Sequence, residues 1–200
     1  MPIRIIHACR SALGAIFLGL LVACAATDPA SPGDTGDAVL PEARLAEAEA
    51  AFDRGDYPAG ARMYREAAQG SDDELIAEQA TRAAFDHTQL REAALAAGRW
   101  LEINPTSENA HRYAGIVALK LHRIDDAEAQ FGYLLDTVYV SPAAGFLALL
   151  PVIGDEGVAT DVMELFRRLS ARHPSVGEGH YAYGSAALRA DNFAVAGKSA

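Results

Sequence analysis

Basic residues are scarce in this chain. Only 17 lysines and arginines stand against 27 aspartates and glutamates, and Lys120 and Lys198 are the sole lysines. The formal charge is −10, and residues 1–23 hold Arg4 and Arg10 but no acid, which leaves 15 basic and 27 acidic residues in the remainder. Nucleic acid and anionic lipid are bound through clustered Lys and Arg, so this balance excludes both as partners of the folded part. Aromatic residues make up 8% of the sequence and β-branched ones are sparse, which excludes an all-β fold. Cysteine occurs twice, at Cys9 and Cys24. No Gly-x-Ser-x-Gly elbow, phosphate loop, dinucleotide fingerprint or His-Glu-x-x-His helix is present. His87, His111, His122, His173 and His180 lack metal-ligand spacing, and His111 and His180 fall at equivalent packing positions. The acidic pairs Asp72-Asp73 and Asp125-Asp126 are expected at helix starts, where carboxylates favour the dipole. No catalytic chemistry, cofactor or metal is expected.

What is present begins with an address. Arg4 and Arg10 precede an unbroken uncharged run from Ala12 to Ala23. Twelve helical residues rise only about 18 Å, too short for a bilayer core of roughly 30 Å, so the run reads as a secretory signal. It closes on Leu21-Val22-Ala23-Cys24, which resembles the bacterial lipobox. That resemblance implies cleavage after residue 23, a diacylglyceryl group on the Cys24 thiol, and palmitate-type acylation as the membrane anchor. Several acyl chains hold a protein stably, since each buried CH₂ contributes about 0.8 kcal/mol. Ala25, rather than Asp, after the cysteine implies delivery to the outer membrane, facing the periplasm. The mature chain would then keep no free thiol, which removes disulfides, thiolate metal sites and cysteine nucleophiles. Residues 24–41, with three Pro, two Gly and three Asp after the cysteine, read as a flexible tether.

From Pro41 onward the chain repeats. Small residues followed four positions later by aromatic or apolar ones recur as Gly60/Tyr64, Ala93/Ala97, Ala127/Phe131, Val162/Phe166 and Ala196/Ala200, at separations of 33, 34, 35 and 34 residues. Abundant Ala, Leu and Glu favour helix within that period. The pattern is similar to the tetratricopeptide repeat, whose 34-residue unit is a pair of helices. Ala48, Ala51, Gly55 and Ala67 extend the match in the first repeat; Thr81, Ala84, Trp100 and Pro105 in the second; Gly115, Ala118 and Leu134 in the third. Leu150, Ile153, Gly157, Leu169 and Pro174 extend it in the fourth, and Gly184 and Ala187 in the fifth. The resemblance implies an all-α, right-handed solenoid of antiparallel helix hairpins, about five repeats with the last incomplete. Their boundaries are expected at 42–73, 74–106, 107–141, 142–175 and 176–200. Helices are expected over 42–54, 57–69, 73–87, 90–103, 107–121, 124–137, 142–152, 156–172, 176–190 and 193–200.

Local signals refine those spans. Ser71 to Glu74 and Ser175 to Glu178 read as capping boxes, and Asp56 as the cap of a helix opening at Tyr57-Pro58. Asn104-Pro105 and His173-Pro174 should stop helices. Pro151 falls inside the fourth repeat's first helix and should kink or end it.

The same resemblance implies that one face of each first helix lines a concave groove for protein partners. Carried onto this sequence, that face comprises Glu42, Leu45, Glu49, Phe52 and Asp53, then Leu75, Glu78, Arg82, Phe85 and Asp86. It continues with Asn109, Arg112, Ile116, Leu119 and Lys120, and in the fifth repeat with Glu178, Tyr181, Ser185, Leu188 and Arg189. The groove should begin acidic and turn basic, with Phe52 and Phe85 as adjacent anchors suited to a peptide or partner helix. The Lys/Asn carboxylate clamp of some family members has no counterpart here, which disfavours chaperone-tail binding. The expected function is a non-catalytic scaffold for assembly of an envelope complex. The alternative is the recruiting N-terminal region of a longer envelope enzyme, for example one acting on peptidoglycan. The period carries repeat five to about residue 210, so the array is expected to continue or to be covered beyond residue 200.

Overall fold

A computed structural model describes residues 41–199. The signal segment, the tether and Cys24 lie outside the described residues. Within them the chain forms ten α-helices and one π-helical turn, with no strand among the described residues. In chain order these are α1 (Pro41–Asp53), α2 (Tyr57–Gln69), α3 (Glu74–Asp86), α4 (Leu90–Ile103), α5 (Glu108–Lys120) and α6 (Ile124–Tyr133). The π-turn Leu134–Val138 follows, then α7 (Pro142–Glu156), α8 (Ala159–Arg172), α9 (Gly177–Arg189) and α10 (Phe193–Ser199). The fold is an all-α stack of helix pairs, tetratricopeptide-like in its period and packing. The repeat register shows directly in burial: Gly60, Tyr64, Ala93, Ala97, Ala127, Phe131, Val162, Phe166 and Ala196 are all buried.

The turns explain why the pairs form. Gly55, Thr88, His122 and Asp191 each adopt a left-handed backbone, with φ of 77°, 60°, 60° and 55°. Each closes the preceding helix with the same two bonds. The amide of the left-handed residue donates three positions back (to Phe52, Phe85, Leu119 and Leu188), and the next amide donates five positions back (to Ala51, Ala84, Ala118 and Ala187). This is the Schellman arrangement, which satisfies the last carbonyls and turns the chain back on itself. The fourth repeat lacks it. Gly157 there has an extended backbone (φ −106°, ψ 161°), and α7 runs to Glu156 instead of stopping near residue 152. Pro151 does not end α7: both Pro151 and Leu147, whose carbonyl loses its amide partner, are solvent-exposed, so water can satisfy the freed oxygen.

Side-chain size sets how closely the pairs approach. Between α1 and α4 the fully buried core is mostly alanine, including Ala48, Ala61, Ala68, Ala77, Ala80 and Ala96. Small residues bring helix axes together. From α5 onward the core changes to Phe131, Leu134, Leu135, Phe146, Leu149, Ile153, Leu165, Phe166 and Leu169, all 0–1% exposed. The bulk between α7 and α8 holds these two apart, and both pack chiefly on α9. The π-turn belongs to the same change. Leu134 and Leu135, at its start, are consecutive and both fully buried. The helix widens there, with the Tyr139 amide donating to the Leu134 carbonyl at 3.1 Å. The single helix expected over 124–137 is thus two segments of different pitch.

The caps hold in part. Asp56 accepts from Ala59 at 3.2 Å as expected. Asp73, not Ser71, caps α3, accepting from Leu75 at 2.9 Å, while Ser71 accepts from Asp73. Val176 occupies the cap of α9 with no side-chain bond, so the second capping box does not form. His111 and His180 share a structural role: each bonds through Nε2 to the carbonyl six residues back, Pro105 and Pro174, at 3.0 Å. His111 also stacks on Tyr133, 3.8 Å between ring centres. Trp100 donates to Glu74 at 2.7 Å, joining α4 to the start of α3; that bond, followed by Asn104, holds the Glu74 carboxyl below its ordinary range.

Candidate protein-binding cleft

The first helices of successive repeats, α1, α3 and α5, lie side by side, with α2 and α4 behind them. Their open faces form two adjoining clefts. The first, about 640 Å³, lies between α1 and α3 and is lined by Glu49, Phe52, Asp53, Tyr64, Leu75, Glu78, Gln79, Arg82, Ala83, Asp86 and His87. The second, about 300 Å³, lies between α3 and α5, and Phe85, Asn109, Arg112, Tyr113, Ile116 and Glu156 complete its wall. Glu78 and Arg82 border both, so the clefts are two halves of one surface.

Aromatic rings floor the first cleft. Phe52 packs beneath α2, where Gly60 has no side chain; a Cβ at Gly60 would sit 2.8 Å from the ring. The Phe52 ring centre lies 5.6 Å from Tyr64 and 4.8 Å from His87, and Tyr57 stacks on His87 at 4.2 Å. The Tyr64 hydroxyl accepts from Gln79 at 3.0 Å. Burial, and then the nearby Glu49 carboxylate, push its ionisation above the usual tyrosine range, so it stays protonated at neutral pH. Carboxylates rim the cleft. Glu78 is bonded to Arg82 at 3.1 Å, an intrahelical pair one turn apart. Glu49, Asp53 and Asp86 form no salt bridge among the described residues and are solvent-exposed.

The second cleft differs in charge. Arg112 is bonded to Glu108, and Lys120 lies 2.8 Å from Glu156 and 5.6 Å from the centre of the Phe85 ring. The expected basic end is therefore neutralised by an acid one turn away on α5 and by another reaching in from α7. Phe85 meets Tyr113 edge-on at 5.6 Å.

Of the groove residues read from the sequence, Glu49, Phe52, Glu78 and Arg82 line the first cleft, and Phe85, Arg112 and Ile116 the second. Leu45 is half-buried against the alanine core beside the first cleft. Leu119 is a correction: it is 0% exposed, turned toward Gly157 and Val162, and belongs to the core. Gly157 and Val162 of the fourth repeat lie against it, which a face assignment by helical spacing overlooks. Tyr181 is 59% exposed on α9 and lines neither cleft. Tyr64, Gln79, Ala83 and His87 were missed by the sequence reading. His87 carried a signal, since it stands one position beyond the expected face, where α3 ends.

No three His, Cys, Asp or Glu side chains are grouped to hold a metal among the described residues. No helix among them is long and apolar enough to cross a membrane. No family model and no curated protein matches the chain. Similar solved structures include the MamA protein (15% identity, 80% of this chain and 87% of that one, TM-score 0.45). MamA from residue 41 to its end, from Desulfovibrio magneticus RS-1, matches at 17% identity over 80% and 90%, TM-score 0.44. A tetratricopeptide repeat protein from Parabacteroides merdae matches at 16% identity, TM-score 0.44, with 80% of this chain spanning 62% of that one.

Proposed function

We propose that this chain is a non-catalytic scaffold that binds protein partners through the α1–α3–α5 surface, held by acylated Cys24 at the periplasmic face of the outer membrane, where it assists assembly of an envelope complex. One observation carries the binding part: two adjoining clefts combine aromatic floors with exposed charge on the first helices of three consecutive repeats. Concave, partly apolar surfaces with convergent polar groups are where extended segments and helices dock. Leu75 supports this reading, because it is a large apolar side chain left 70% exposed on the rim of the first cleft. The anchoring part rests on the Leu21-Val22-Ala23-Cys24 sequence and on Ala25.

The two parts are tested separately. Metabolic labelling with a palmitate analogue should mark the wild type and leave Cys24→Ser unmarked; equal labelling removes the anchor from the proposal. Affinity capture of envelope proteins by the wild type should be lost in a Leu75→Asp, Ile116→Asp variant that keeps its helical content. Unchanged capture by that variant removes the binding surface.

A further inference from the structure

We infer that the cleft between α1 and α3 seats a cationic side chain, so that the partner segment carries Arg or Lys beside apolar residues; this rests on the docking surface proposed above and names what occupies it. Four carboxylates and one guanidinium line the cleft, and the guanidinium of Arg82 is already engaged by Glu78. Glu49, Asp53 and Asp86 form no salt bridge around the rings of Phe52 and Tyr64, with Glu49 bonded only to the Tyr64 hydroxyl and Asp86 one turn from the already engaged Arg82. An apolar segment alone would strip water from these carboxylates and return no ion pair. An acidic segment would meet like charge in a site whose ring floor lowers the local dielectric. A guanidinium or ammonium on an apolar stem answers both halves of the site, with its charge among the carboxylates and its stem over the rings.

Charge also narrows where the occupant comes from. Residues 25–41 of this chain contain three Asp and no base, so the chain's own tether does not supply the cation. A second copy brings a net charge of −10 toward an acidic cleft and is repelled before contact. The partner is therefore a different protein with a basic, amphipathic segment.

The test uses the full chain in detergent with three fluorescein-labelled twelve-residue peptides of alternating Leu and Arg, Leu and Gln, or Leu and Glu. Anisotropy should rank them Arg, Gln, Glu, with the Arg peptide about tenfold tighter than the Gln peptide at low salt and losing that margin at high salt. Because any anionic protein attracts a basic peptide, two charge-matched variants are compared. Glu49→Gln/Asp53→Asn/Asp86→Asn should abolish the margin, whereas Asp125→Asn/Asp126→Asn/Asp155→Asn, which removes the same charge elsewhere, should preserve it. Equal binding of the Arg and Gln peptides overturns the cation seat and leaves the docking surface standing. Equal weakening by both variants overturns it too, since net charge alone would then account for the preference. Binding of none of the peptides also overturns it, and the docking surface is then judged by crosslinking through Leu75.

Discussion

Gly115→Ala is the sharpest test of the packing described above, because its sign depends on one contact. Gly115 lies in α5, where alanine is intrinsically preferred by about 1 kcal/mol. In solvent that substitution stabilises. Here a Cβ at residue 115 would stand 2.8 Å from Cε2 and Cζ of Phe131, a ring that is 0% exposed and enclosed by the third and fourth repeats. The ring must move several tenths of an ångström into a filled core, which costs about 1–3 kcal/mol. Set against the propensity gain, the overpacking should leave a net loss of up to about 2 kcal/mol, a drop of up to roughly 8 °C in a domain of this size. Gly98→Ala is the internal control. Gly98 is exposed within α4 and has nothing within 4 Å of the added carbon, so the same change should raise the midpoint by about 1–4 °C. Thermal unfolding followed by circular dichroism reads both. In a Phe131→Leu background, where the ring is gone, Gly115→Ala should cease to destabilise. Equal, same-sign shifts for Gly98→Ala and Gly115→Ala in the native background would refute the close approach of α5 to Phe131.

Two further outcomes follow from other parts of the fold. Thr88 is β-branched and left-handed at φ 60°, so Thr88→Gly should stabilise by about 0.5–1 kcal/mol, the strain relieved less glycine's added chain entropy; a lower urea midpoint would contradict the Schellman turn at that position. Glu164 is bonded by Arg167 and then Arg168, and these bonds hold its carboxyl down at about 2 from an ordinary 4.5. A depressed carboxylate stabilises above its unfolded value and loses that contribution as pH falls through the folded one, so wild-type stability should decline between about pH 4.5 and 2 more steeply than that of Glu164→Gln. Parallel pH profiles for the two proteins would show that this group is not bonded in solution.

Much of the fold was legible because the 34-residue period is a packing requirement repeated along the chain, and it fixed which residues are buried from Gly60 to Ala196. The turns were legible only at Gly55, where glycine announces a left-handed backbone. At Thr88 the same geometry falls on a β-branched residue that disfavours it, and at His122 and Asp191 on residue types that visit it too seldom to announce a turn. The π-turn at Leu134–Val138 had no local signal in the sequence. Helical spacing alone placed Glu49, Phe52, Glu78 and Arg82 on one face, and all four line the first cleft. That face was misread where a neighbouring element decides the outcome. Leu119 is covered by Gly157 and Val162 of the fourth repeat, and Lys120 is neutralised by Glu156 from a helix 36 residues further on.

The proposed function requires that the cleft face, and not the remaining surface, meets protein partners. Leu75 and Leu95 are both exposed leucines, 70% and 53%, but Leu75 lines the first cleft and Leu95 lies on α4, outside both clefts. Replacing each in turn with the photoreactive p-benzoylphenylalanine, in cells of the source, samples the two faces at equal chemistry. The account predicts discrete crosslinked species from Leu75, abolished when Glu49, Asp53 and Asp86 are neutralised together, and only the uncrosslinked chain from Leu95. Crosslinks from Leu95 alone, or the same species from both positions, would contradict it.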